Sequence, residues 1–105
     1  MSSSGFIKLH RRLLDSITWQ QSAPPQKAVL ITVLLMANHA PQAWRWQGQN
    51  FTAQPGQFIT SIPKLVKNAG VSEKNVRTAL KNLVAMKFIT EQTTKHGRLI
   101  TVVNW

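Results

Sequence analysis

The chain has 105 residues, 43% of them hydrophobic, which suffices for one compact domain around one core and leaves no room for a second. Thirteen Lys and Arg against three acids give a formal net charge of +10, a self-repelling excess that points to an anionic partner, nucleic acid before a membrane surface. The longest apolar run, Ala28 to Ala37, is broken by Thr32 and too short to span a bilayer, and there is no cysteine and no secretory leader, so a cytoplasmic protein without redox chemistry is expected.

Met1 to Gly5 is small and polar and is expected to be a disordered tail before a single domain over 6–105. Phe6-Ile7-Lys8-Leu9 alternates like a short strand or extended anchor. Leu13 and Leu14 beside Arg11 and Arg12 suggest a short helix within His10 to Ser16, followed by a further apolar patch at Ile17 to Trp19. Pro24 and Pro25 fit a first helical turn, where a missing N–H removes no bond. The helix should then run from Gln26 to about His39, with Val29, Leu30, Val33, Leu34, Met36 and Ala37 on a broad apolar face and Pro41 as the stop. Trp44 to Phe51 reads as a small hairpin turning near Gly48 and Asn50, and Gln54 to Gln57 as a turn into a strand at Phe58-Ile59-Thr60.

Ser61 can cap a helix over Ile62 to Ala69, with Pro63 in its first turn, Leu65 and Val66 facing inward and Gly70 at a left-handed end. Val71 can plug between helices, and Ser72 can cap a second helix from Glu73 to Met86, with the Glu73 charge near its positive end. Val76, Ala79, Leu80, Leu83 and Met86 share one side at helical spacing, leaving Lys74, Arg77, Thr78, Lys81 and Ala85 on or near the other. Phe88 to Gln92 and Leu99 to Val103 have β-forming composition and flank the basic tip Lys95-His96-Gly97-Arg98. The expected fold is therefore α+β: a winged helix-turn-helix over about 61–86 with an antiparallel hairpin wing over about 88–103, preceded by short additional elements.

An α-helix fits the major groove of B-DNA, where Arg and Asn form paired hydrogen bonds to purine edges. Arg77 and Asn75 are the candidate base readers. Lys64, Lys67, Lys74 and Lys81 suit phosphates, since a flexible ammonium supplies charge without the planar geometry that selects a base. Ser61, Ser72 and Thr78 complete the candidate contact surface on the helices, and Lys95, His96 and Arg98 that of the wing.

Competing chemistries find less support. Trp19, Trp44, Trp46 and Trp105 could stack on single-stranded bases, but without a basic sheet to organise them they suit the core or an interface. His10, His39 and His96 lie far apart, and no ligand spacing for a metal or cofactor is visible. Asp15, Glu73 and Glu91 are the only acids, and with no nucleophile motif or phosphate loop a binding protein rather than an enzyme is expected.

Gly5-Phe6-Ile7-Lys8-Leu9-His10-Arg11, the later Pro55-Gly56-Gln57-Phe58-Ile59-Thr60-Ser61 and the closing Val103-Asn104-Trp105 resemble the N-terminal domain of phage replisome organisers and of the related DnaD-type replication-initiation proteins. The resemblance covers Phe6 to Trp105 and takes in the helix-turn-helix at Ser61 to Ala85. It implies a winged-helix domain that recognises origin DNA or organises primosome assembly, in a family that often adds a C-terminal domain for self-association or helicase-loader contacts. With the sequence ending at Trp105, both a piece of a longer replication protein and a free-standing domain are open. The expected partner is double-stranded DNA, with self-association and replisome or primosome proteins as further partners. A phage or plasmid transcriptional regulator and a protein-interaction module built on the same fold are the alternatives.

Overall fold

The computed structural model describes residues 9–46, 48–94 and 97–103, and the expectations placed on Met1 to Lys8, Lys95, His96 and Trp105 fall outside them. The architecture is α+β. A 3-10 helix at Arg11–Asp15 leads into α1 (Ile17–Gln20) and α2 (Pro24–Met36), then β1 (Gln42–Trp46), β2 (Gln49–Ala53), β3 (Gln57–Thr60), α3 (Ile62–Ala69), α4 (Glu73–Ala85), β4 (Ile89–Thr94) and β5 (Gly97–Val102).

The N-terminal helical segment is two short pieces joined at Ser16. The Ser16 hydroxyl donates to the Leu13 carbonyl at 2.9 Å and accepts the Trp19 N–H at 3.2 Å, ending one piece and capping the next. Trp19 packs on the core, and the Lys27 ammonium lies 4.8 Å from its ring centroid.

Proline opens α2 as expected, but the helix ends at Met36 rather than near His39. The cause is Asn38, whose N–H and side-chain amide both donate to the Gln57 carbonyl, at 3.1 and 2.8 Å, while its own carbonyl accepts the Gly56 N–H at 2.8 Å. This tie to the turn before β3 forces Ala37 into extended backbone well before Pro41.

Two antiparallel sheets form, a β1–β2 hairpin and a three-stranded sheet in the order β3-β5-β4. In the second sheet Phe58 pairs with Ile100, Thr60 with Arg98, Glu91 with Ile100 and Ile89 with Val102, so these residues share one face. Phe58, Ile89, Ile100 and Val102 on that face are buried against Val29, Leu30 and Val33 of α2, Ile62 and Leu65 of α3, and Val76, Ala79, Leu80 and Leu83 of α4. Burial of this kind contributes roughly 1.5–3 kcal/mol per large apolar side chain. The core thus fixes α3 and α4 by their inner faces and leaves their outer faces in solvent.

Candidate functional site

The outer faces of α3 and α4 hold most of the candidate residues. The Ser61 hydroxyl accepts the Lys64 N–H at 3.3 Å, and Gly70 ends α3 with φ +71 in the left-handed region. After Val71, which packs against the core, the Ser72 hydroxyl accepts the Asn75 N–H at 3.1 Å and starts α4. Both serines therefore build helix ends, and each hydroxyl keeps its hydrogen and one lone pair for a ligand.

Lys64 and Lys67 on α3 and Lys74, Asn75, Arg77, Thr78 and Lys81 on α4 are all exposed. This is the face the spacing predicts, since Val76, Ala79, Leu80 and Leu83 take the inner side. Among the described residues the lysines have no carboxylate partner: Glu73 pairs with Arg77 and Glu91 with Arg98, and Asp15 forms no salt bridge. The result is a predominantly cationic surface that includes the carboxylate of Glu73, with hydrogen-bonding groups interleaved, a pattern compatible with an extended anion.

α4 is set in place by more than apolar packing. The Asn82 amide donates to Gln26 Oε1 of α2 at 2.9 Å, and Gln26 Nε2 donates to the Ser22 hydroxyl at 2.8 Å. Gln26 is buried, so this polar bridge fixes the two helices against each other where an apolar contact would allow sliding.

Arg98 departs from the expected basic tip. It shares the inner face of the sheet with Phe58 and Ile100, its side chain is only 20% exposed, and its guanidinium is paired with Glu91. Arg98 and Glu91 instead line a cleft of about 310 Å³ between the hairpin and α4, together with Arg77, Leu80, Lys81 and Val84. The hairpin's cation thus joins the α4 surface from the side. Alternation along β4 and β5 places Glu91 and Arg98 on the same face, and that signal could have been read from the sequence.

Glu73 and Arg77 form the other ion pair, with Arg77 Nε donating to Glu73 Oε2 at 2.9 Å and side chains 55% and 63% exposed. Their i,i+4 spacing makes this pair legible in the sequence too, beside the place of Glu73 at the positive end of the helix.

Among the described residues no group of His, Cys, Asp and Glu is arranged to hold a metal ion, and no helix is long and apolar enough to cross a membrane. Comparison with protein-family models, curated proteins and solved structures gives no match for this chain.

Proposed function

We propose that this protein is a winged helix-turn-helix that binds double-stranded DNA with sequence preference, α4 entering the major groove and the β4–β5 hairpin lying over the adjacent backbone. The observation that carries the reading is the exposed face of α4, with Lys74, Asn75, Arg77, Thr78 and Lys81 in solvent, as are Lys64 and Lys67 of the preceding helix α3. Protein charge of this sign and spread is matched by the phosphate lattice of a duplex, and association driven by it weakens steeply with salt. Specificity comes from Arg77 and Asn75, affinity from the lysines. The resemblance of the N-terminal, Pro55–Ser61 and C-terminal motifs to phage replisome organisers supports replication initiation, through origin binding or primosome organisation, as the setting.

Selection of bound duplexes from a random library tests the reading directly. Arg77→Ala is expected to cost about 1–3 kcal/mol at one base position, while Lys81→Ala weakens every sequence and lowers the salt slope by about one. Equal, sequence-independent losses in both variants would remove Arg77 as a base reader, and no duplex binding at low salt would remove the proposal.

A further inference from the structure

We infer that Glu73 is a positioning residue that aims Arg77 at a guanine, so the sequence preference of this protein contains a guanine whose recognition depends on Glu73. The inference rests on the DNA-binding reading above and deepens it to one base and one supporting side chain.

A guanidinium carries five N–H groups in one plane, and its use depends on which of them are already engaged. In Arg77 it is Nε that donates to Glu73 Oε2, at 2.9 Å. Neither Nη nitrogen has a hydrogen-bond partner among the described residues, so the end of the fork is free. Two parallel N–H groups at that end match O6 and N7 of guanine in the major groove, the acceptor pair that adenine, thymine and cytosine lack.

The location suits reading rather than holding. Glu73 opens α4 and Arg77 sits one turn further along, within the N-terminal part of the helix that approaches base edges in this mode of docking. Lys64 and Lys67 on α3 and Lys74 and Lys81 on α4 are exposed as well and supply the phosphate contacts in this reading. The second Arg–Glu pair makes the contrast: Arg98 engages Glu91 through Nη1, at the end of its fork, and is largely buried. One arginine is thus supported from behind and the other is held at its tip.

A carboxylate on a DNA-facing surface repels phosphates, so Glu73 lowers general affinity while it orders Arg77 before binding. These opposite effects make its role separable from simple support of the helix. The full chain is assayed on the selected duplex and on duplexes changed at each base pair in turn, with folding of every variant followed by circular dichroism. At the position where Arg77→Ala erases the preference, the preferred base is expected to be guanine. Glu73→Ala should lower that preference roughly fivefold or more, the lower end of what a paired base contact contributes. It should also raise binding to unrelated duplex. Glu73→Gln, which keeps an acceptor for Nε, should retain most of the preference, and Glu73→Ala should add no further loss of preference in the Arg77→Ala background.

An unchanged preference in Glu73→Ala overturns the inference while leaving DNA binding intact. So does a preferred base other than guanine at the Arg77-dependent position, or an Arg77→Ala loss equal for all sequences, which marks a phosphate contact. Failure of the parent protein to bind duplex at low salt removes the DNA-binding reading and this inference together.

Discussion

Helices α2 and α4 have the same length, 13 residues each, and pack against one another, yet they divide the work of the molecule. α2 carries a single charge, Lys27, and sends Val29, Leu30 and Val33 into the core with no exposure at all. α4 buries only one stripe and keeps Lys74, Arg77, Thr78 and Lys81 in solvent. The difference teaches that one packed pair can separate core from charged surface: α2 supplies a fixed wall, and α4 uses that wall to present a face that contributes little to folding. Substitutions on the two helices should therefore fail in different ways.

The largest expected effect lies on α2. Leu30→Ala removes a fully buried side chain and should cost about 2–5 kcal/mol of stability in denaturant unfolding. The remaining folded protein should keep the duplex preference of the parent, because Leu30 touches nothing on the outer face of α4. A changed preference without lost stability would erase the distinction between the helices. Arg77→Ala is the mirror case: it should alter base preference and leave stability within about 0.5 kcal/mol, as exposed substitutions generally do.

The bridge between the helices gives an intermediate case. Asn82→Ala leaves the buried Gln26 carbonyl oxygen without its donor, which should cost about 1–3 kcal/mol. Because the same bridge sets the seating of α4, this variant should lose stability and duplex preference together. Equilibrium unfolding and competition binding on one sample check both. A loss in stability alone would mean that apolar packing suffices to seat the helix.

What the sequence discloses follows from how far apart the interacting residues lie. Ser61, Pro63, Gly70 and Ser72 act on their immediate neighbours, so the bounds of α3 and the start of α4 can be read from local chemistry. The inward stripe of α4 and the exposed cations opposite it follow from helical spacing alone. The bridge from Gln26 to Asn82 spans 56 positions, and nothing in either segment announces the other. The early end of α2 has the same cause, since Asn38 bonds to Gln57 across the hairpin. Arg98 differs from an exposed basic tip for another reason: sheet register, and not nearness to the turn, sets the direction of its side chain, toward the helices.

The ends of α3 and α4 extend the comparison to its smallest effect. α3 closes on Gly70 at φ +71, where glycine has no Cβ penalty. α4 closes through Lys87, a non-glycine residue at φ +62 whose N–H donates to the Val84 carbonyl at 3.0 Å while the Phe88 N–H donates to the Leu83 carbonyl at 2.9 Å. A left-handed L-residue costs about 1–2 kcal/mol, the extra unfolded-state freedom of glycine offsets about 0.5–1 kcal/mol of that, and a cation near the helix C-terminus contributes about 0.3–1 kcal/mol at low salt. Lys87→Gly should therefore be close to neutral at low salt and stabilising by about 0.5 kcal/mol at high salt, where the interaction with the helix dipole is screened. Thermal unfolding at the two salt concentrations reads the difference. Lys87 lies past the end of α4, outside the Lys74 to Lys81 face, so base preference should stay that of the parent. A gain at low salt as large as at high salt would show that backbone strain alone, and not the ammonium, decides which residue closes this helix.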